Sequence, residues 1–492
     1  MRKIILFLLL LVLIIFVIGC TGKQLKKTNI EQPETDAQKE QQIAQDEKKV
    51  VVKEINKTTE NQELKVSEGK LEEINKTTEI QKLEIPEEKP KETQTNWPTF
   101  HGDNARTGFS ESKSPSKPNV LWKWTVDDFM KINYEGNFEG NWPITSNGKV
   151  FIAPEDIFAL DIKTGKRIWS YTEKGESFFP RGLAVGNEKI FISVNTGDNL
   201  KNLPSGYIYA LDENNGNFLW KYQTQKGVSH SLPLFADNKV FVGDDSGNIY
   251  ALNADNGNLI WKKYLEAEVV HSSPAYYNGI IFIGTEGSQK NNAMPSHLYA
   301  LDTETGKEVW RFKVDYIQGK LNLIHATPAI ADNVVYVGAE NGYFYALNAK
   351  DGSLIWKNKI ASGAEELIGI SAAAALGYGK VFIGTYEGKF LALSQKDGKI
   401  VWEYNFGKAN ADSSPVLADN KVYFGAGEED NGYFYSFNAE NGNVIWKEKL
   451  GGSSGTLANG ILIVSNRLAE DNLKPNTPII IAFSDEGKES LW

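Results

Sequence analysis

The chain has 492 residues, with 53 Lys and Arg against 63 Asp and Glu, a formal net charge of −10 and a pI near 5.3. An acidic balance of this size argues against a nucleic-acid polyanion as the main partner, because such binding relies on Lys and Arg neutralising phosphates. The 12 Trp, 20 Tyr and 24 Phe suit an all-β protein with abundant aromatic packing, and a single cysteine excludes an intramolecular disulfide.

That cysteine closes an export signal. Met1-Arg2-Lys3 is a short basic start, Ile4 to Ile18 is a continuous apolar run, and Gly19 precedes Cys20. The pattern resembles the lipobox of bacterial-type lipoproteins, which implies a signal peptide over 1–19 and a lipid on Cys20 as the first mature residue. The apolar run is shorter than the roughly 20 residues that a membrane-spanning helix needs. The expectation is an exported protein held by lipid at a membrane surface, on the periplasmic or cell-surface side.

Residues 21–95 contain no Phe, Tyr or Trp and are rich in Lys, Glu, Gln and Thr. Such a composition buries too little apolar surface to offset ordering entropy, so 20–95 read as the lipidated cysteine and a disordered tether. As a flexible coil it would span roughly 45 to 50 Å root-mean-square. Within it, Glu54–Glu60 returns as Glu73–Glu79, duplicating an Asn-x-Thr sequon at Asn56 and Asn75. A duplicated spacer is the simpler reading.

Composition changes at Asn96-Trp97-Pro98-Thr99-Phe100-His101-Gly102-Asp103, and 96–492 read as one globular domain. The aromatic and turn residues of this lead-in predict an irregular segment pinned onto the fold. His101 and Asp103 read as packed groups with satisfied polar atoms rather than as catalytic ones.

A repeat then organises the chain. Trp recurs at 122, 169, 220, 261, 310, 356, 402, 446 and 492, and nine markers bound eight units. Each unit reads as four short strands, A to D. In the third, strand A is Ser231 to Ala236, strand B Lys239 to Gly243, strand C Asn248 to Asn253, and strand D ends at Trp261. The A–B hairpins carry Asn147-Gly148, Asp237-Asn238, Asn278-Gly279, Asp332-Asn333, Asp419-Asn420 and Asn459-Gly460, residues that tolerate positive φ in tight primed turns.

Each C–D turn begins with a short polar side chain, at Asp161, Asp212, Asn253, Asp302, Asn348, Ser394, Asn438 or Ser484, and is closed by glycine. The prediction is an all-β, eight-bladed β-propeller of four-stranded antiparallel blades. The Trp residues dock neighbouring blades, because a lone four-stranded sheet cannot cover both its faces.

Ala300-Leu301-Asp302-Thr303-Glu304-Thr305-Gly306-Lys307-Glu308-Val309-Trp310 resembles the repeat of the PQQ-like, quinoprotein alcohol dehydrogenase-like β-propeller family, and the resemblance runs over 97–492. It implies that each Trp docks against the neighbouring blade. Leu121-Trp122-Lys123-Trp124 reads as a stray strand D that lies beside the last unit and latches the ring. The last unit departs from the repeat, with Ser484 only three residues before Gly487 and Trp492 five after it.

In this topology the D–A and B–C connections share one face, and the insertions fall there, which marks that face for a protein partner. The residues counted as the first of strand A are His230, His271 and His325 in three consecutive units, then Ser371 and Asp412. Imidazoles at one structural slot around a channel mouth could bind a metal or form a pH-responsive mouth. Duplication of a unit that began His-Ser-x-Pro would also account for them. The pairs Asp127-Asp128, Asp244-Asp245 and Glu428-Glu429 read as solvated loop tips.

PQQ-dependent alcohol dehydrogenases, which this chain resembles in its propeller, carry adjacent cysteines beside the quinone, a calcium site of Glu, Asn and Asp, and a catalytic Asp. One cysteine cannot supply the first of these, and no Cys-x-x-Cys-His offers covalent haem. Neither PQQ nor another cofactor is expected, no catalytic residue is assigned, and an enzyme is the less favoured reading. The chain is most similar to BamB-type outer-membrane assembly lipoproteins, which implies a monomeric protein-binding scaffold. A divergent PQQ- or metal-dependent oxidoreductase and a glycan- or cell-wall-binding surface module stay open as alternatives.

Overall fold

The computed structural model describes residues 95–492 apart from 126–141, 155, 174–177, 197–204, 268–270, 288–294, 363–368, 408, 412, 428–431, 451–453, 466–477 and 488–492. Cys20, the signal and tether segments, Asp127-Asp128, Asp412, Glu428-Glu429 and Trp492 lie outside the described residues.

The strands follow the repeat. β1 is Val120–Thr125, and blade 1 holds β2–β5 (Ile144–Ser146, Lys149–Ile152, Ile157–Asp161, Arg167–Tyr171). Blade 2 holds β6–β9 (Phe178–Gly186, Lys189–Thr196, Ser205–Asp212, Phe218–Gln223), and blade 3 holds β10–β13 (Leu234–Ala236, Lys239–Gly243, Asn248–Asn253, Leu259–Tyr264). Blade 4 holds β14–β17 (Ala275–Tyr277, Ile280–Gly284, His297–Asp302, Glu308–Lys313), and blade 5 holds β18–β21 (Ala329–Ala331, Val334–Gly338, Tyr343–Asn348, Leu354–Lys359). Blade 6 holds β22–β25 (Ala375–Gly377, Lys380–Gly384, Lys389–Ser394, Ile400–Asn405), and blade 7 holds β26–β29 (Val416–Ala418, Lys421–Ala426, Tyr433–Asn438, Val444–Glu448). The last strands are β30–β32 (Gly455–Ala458, Ile461–Ser465, Pro478–Phe483).

Every blade is a four-stranded antiparallel sheet, and the eighth has the order β1-β32-β31-β30. The outermost strand of the last blade is therefore the first strand of the chain. Its Trp122 packs with Ile152, Phe158 and Leu160 of blade 1 and with Ile463, Ile480 and Ala482 of blade 8. The pairing covers the edge that β32 would otherwise expose and ties the start of the domain to its last blade.

Turn chemistry sets the blade geometry. Both residues of all eight A–B turns have positive φ, from Asn147 (49°) and Gly148 (73°) to Asn459 (52°) and Gly460 (75°). This is the type I′ geometry that matches strand twist. The turns Asn187-Glu188 and Tyr378-Gly379 belong to the same set, although Glu188 (φ 56°) and Tyr378 (φ 54°) are unusual residues there. In the C–D turns, Asp161 Oδ1 accepts from Thr164 N at 2.8 Å and Asp302 Oδ1 from Thr305 N at 2.8 Å.

Strand A starts later than the repeat alone suggests, at Leu234 in blade 3 rather than Ser231. Pro233, Pro274, Pro328 and Pro415 stand immediately before β10, β14, β18 and β26, and a proline has no N–H to extend the ladder. Beyond the proline a side chain takes over, and Ser231 Oγ accepts from Gly243 N at 2.9 Å.

The lead-in does more than pin itself onto the ring. It pairs with the innermost strand of blade after blade. Trp97 and Thr145 exchange backbone bonds at 3.1 and 2.8 Å, and Val185 N donates to Pro98 O at 2.7 Å. Tyr276 N, Ile330 N, Leu376 N and Leu417 N donate to the carbonyls of Asn104, Ala105, Thr107 and Gly108 at 2.7 to 2.9 Å. Gly460 N reaches Ser112 Oγ at 2.6 Å, and Arg106 reaches Pro233 O of the remaining blade at 3.3 Å. Every blade thereby has a hydrogen bond with the lead-in, and in six of them it falls on the open edge of the innermost strand. His101 is packed as expected, its ring nitrogens 2.7 Å from Arg106 O and 2.8 Å from Pro415 O, and Asp103 accepts from Thr107 N at 3.0 Å.

Candidate functional site

The blade-docking tryptophans share one geometry. Trp122, Trp169, Trp220, Trp261, Trp310, Trp356 and Trp402 donate Nε1–H to the carbonyls of Ile162, Glu213, Ala254, Thr303, Ala349, Gln395 and Ala439, each in the C–D turn of the next blade, at 2.8 to 3.2 Å. Each indole also covers the turn glycine of that blade. Trp446 differs. It packs on Phe483, but its Nε1 has no partner among the described residues, because the turn after Phe483 is shortened.

His230, His271 and His325 share one slot, four residues before β10, β14 and β18. They sit in the D–A connections rather than opening strand A, for the proline reason given above. A second slot lies two residues past strand B, where Gly243, Gly284 and Gly338 are followed by Asp245, Glu286 and Glu340. The histidine and the acid are fifteen residues apart in all three blades: 230 and 245, 271 and 286, 325 and 340. Backbone bonds set the slots side by side, since Asp245 N donates to Gly227 O at 2.8 Å and Glu340 N to Leu323 O at 3.0 Å.

In blades 4 and 5 the two slots converge. His271 Nδ1 and His325 Nε2 both contact Glu286 Oε1, and the two nitrogens are 3.5 Å apart. The other nitrogen of His325, Nδ1, lies 3.1 Å from Glu340 Oε1. Side-chain exposure is 2% for Glu286 and 4% for Glu340, against 26% for His271 and 19% for His325, so buried carboxylates carry imidazoles that reach solvent. The His230 ring stands beside His271, with centroids 4.1 Å apart at 61°. Of the two remaining members of the predicted slot, Ser371 stands four residues before β22 and Asp412 lies outside the described residues.

Burial works against ionisation of Glu286, but hydrogen bonds from His271 and His325 outweigh it and hold the carboxyl down at about 2. Burial likewise works against the charged form of His325, yet bonds to Glu286 and Glu340 dominate and lift it to about 10. Desolvation by burial and the neighbouring His271 push His230 down. Two imidazole nitrogens and one carboxylate oxygen, all within 4.8 Å of one another, form a donor set suited to a divalent metal ion.

The three histidines stand out in the sequence, and their acidic partners do not. The fifteen-residue offset was visible in the chain, but the B–C connections that carry Glu286 and Glu340 differ in length, from Gly284 to His297 in one and Gly338 to Tyr343 in the other. Asp244 is also not a solvated tip. It is buried, accepting from Tyr250 Oη at 2.8 Å and Asn248 N at 2.9 Å, while Asp245 accepts from Ser229 N at 3.2 Å.

A family model described as outer membrane protein assembly factor BamB matches residues 204–294 and 292–492. Among curated proteins, tetrathionate hydrolase of Acidithiobacillus ferrooxidans is 28% identical over 132 residues, 23% of this chain and 26% of that protein. Quinohemoprotein alcohol dehydrogenase of Comamonas testosteroni is 23% identical over 164 residues, 30% of this chain and 21% of that protein. The chain spans about a quarter of the length of the curated relatives it matches.

Among solved structures, a europium-containing methanol dehydrogenase has a TM-score of 0.63 at 16% identity, covering 79% of this chain and 98% of that one. BamB from Moraxella catarrhalis has a TM-score of 0.54 at 18% identity, covering 70% and 95%. At these identities the structural likeness speaks to fold, and it includes both quinoprotein and assembly-factor propellers. With the family model covering more than half of its length, the chain belongs to the BamB family of PQQ-like β-propellers.

Proposed function

We propose that this protein is an extracytoplasmic scaffold, anchored by lipid at Cys20 and set off from the membrane by residues 21–95, whose long-connection face binds a protein partner. The observation that carries the reading is where connection length varies. All eight A–B turns have two residues between their strands and all seven C–D turns have five. At the opposite end, the D–A connections range from Tyr171–Phe178 to Thr125–Ile144, and the B–C connections from Gly243–Asn248 to Gly284–His297. A scaffold held constant at one end and diversified at the other is what partner recognition by loops on a rigid ring requires. The description of the matching family as an assembly factor agrees with this reading, which involves a monomer and no bound PQQ.

Crosslinking of the full-length protein in its native membrane, followed by mass spectrometry, tests the proposal. A protein partner crosslinked through the long connections supports it. Recovery of polysaccharide without a protein partner overturns it in favour of a glycan-binding module. Saturable binding of PQQ with Ca²⁺ in calorimetry overturns it in favour of a divergent quinoprotein.

A further inference from the structure

We propose that His271, Glu286 and His325 form a binding site for a divalent transition-metal cation of the Zn²⁺ class at the channel mouth, with Glu340 positioning His325. The donors are His271 Nδ1, Glu286 Oε1 and His325 Nε2. The inference goes beyond the scaffold reading and stands on different observations.

Three features of the geometry carry it. The first is convergence. Zn–N bonds of about 2.0 to 2.1 Å at a tetrahedral angle separate two ligand nitrogens by about 3.3 Å, and His271 Nδ1 and His325 Nε2 are 3.5 Å apart. Both face the same oxygen, Glu286 Oε1. Two histidines and one carboxylate leave a coordination position open, as in metal sites that take water or an external donor.

The second feature is the outer support. A ligating histidine is held by a carboxylate on its other nitrogen, which fixes the tautomer and aims the lone pair. Glu340 Oε1 lies 3.1 Å from His325 Nδ1 and fills this role. With the proton on Nδ1, the Nε2 lone pair points at Glu286 and at the cation position.

The third is the charge and access of the site. Glu286 and Glu340 are nearly fully buried and flank the same imidazole. A dication among them offsets two negative charges that burial would otherwise penalise. His271 and His325 are partly exposed to solvent, so an ion can reach their nitrogens without unfolding the ring.

The competing arrangement is an imidazolium shared between two carboxylates with no metal, and it takes up no ion. Full-length protein is therefore stripped with chelator, titrated with Zn²⁺ against a chromophoric competitor, and assayed for bound metal after dialysis. The expected result is one equivalent, with affinity at least about 100-fold lower in His325→Ala and Glu286→Gln and unchanged in His297→Ala, which removes a histidine outside the cluster. With Co²⁺, the wild-type protein should give the intense visible bands of a four-coordinate ion.

No retained Zn²⁺ in the wild type, or uptake that is the same in Glu286→Gln and His325→Ala, overturns the site. Circular dichroism of each variant separates loss of ligand from loss of fold. If a variant does not fold, the wild-type Co²⁺ spectrum decides: weak bands of a six-coordinate aqua-like ion overturn the proposal.

Discussion

The indole of Trp220 in blade 2 lies against Gly257 in the C–D turn of blade 3, where a Cβ would stand 2.5 Å from Cε3. Trp220 Nε1 donates to Ala254 O in the same turn at 3.1 Å. Gly257 also has φ +74°, so substitution there meets both backbone strain and a filled space. Gly257→Ala should destabilise the propeller by about 2 to 4 kcal/mol, from positive-φ strain together with overpacking. Chemical denaturation measures it, and a midpoint equal to wild type would show that the Trp–Gly contact does not dock the blades.

Ring closure makes a separate prediction. Trp122 sits on β1, packs across blades 8 and 1, and donates to Ile162 O at 2.8 Å. Trp122→Ala should cost about 3 to 5 kcal/mol. Hydrogen exchange should rise together in β32 and in β3–β4, because both lose cover from one side chain. Exchange confined to β1 would instead mean that the first strand is an appendage rather than the latch.

The ring was legible from the sequence because turn residues and Trp recur at fixed offsets, and each has a local physical reason to be there. The path of the lead-in was not. Asn104, Ala105, Thr107 and Gly108 meet the inner strands through their carbonyls, which every residue carries, so no side-chain pattern marks the contact. At the mouth, His230, His271 and His325 stood out because histidine is rare in this chain, with five in all. Glu286 and Glu340 did not stand out among 63 acidic residues, and their pairing depends on how two connections pass one another in space.

The turn Asn187-Glu188 carries a glutamate at φ 56° where other A–B turns use Asn or Gly. Glu188 is exposed, so its side chain contributes little packing to set against the strain. Glu188→Gly should stabilise the protein by up to about 1 kcal/mol, the relief of the left-handed conformation less the extra freedom of the unfolded chain. Tyr378→Gly should not, because Tyr378 Oη accepts from Asn420 N at 2.8 Å and the ring packs on Phe109. Denaturation midpoints of the two variants test the contrast, and a gain in both would refute it.

Arg106 is fully buried inside the ring and donates to Phe100 O at 2.5 Å, Thr99 Oγ1 at 2.6 Å, Pro274 O at 3.0 Å and Pro233 O at 3.3 Å. Burial pulls its pKa down to about 9, which leaves it charged at neutral pH. Arg106→Met keeps the volume but orphans these acceptors, at a cost of at least about 3 kcal/mol. Arg106→Lys should recover only part of this, since a single ammonium cannot span the fork of acceptors. Limited proteolysis should cut near residues 96–112 in Arg106→Met and spare the wild type. Equal resistance would mean that the arginine does not hold the lead-in.

The support given to His325 can be separated from ligation itself. Glu340 touches His325 Nδ1 and not the converging donors, so Glu340→Gln leaves all three proposed ligands in place. Loss of an outer carboxylate typically lowers metal affinity by about 10- to 100-fold, a smaller loss than removal of a ligand. Glu340→Gln should therefore bind Zn²⁺ at unchanged stoichiometry with affinity between wild type and His325→Ala. The Co²⁺ bands should shift without collapsing to the six-coordinate form, which a merely structural role for Glu340 would not produce. Affinity equal to wild type would show that His325 is oriented by its backbone alone, and loss as complete as in His325→Ala would make Glu340 a ligand in its own right.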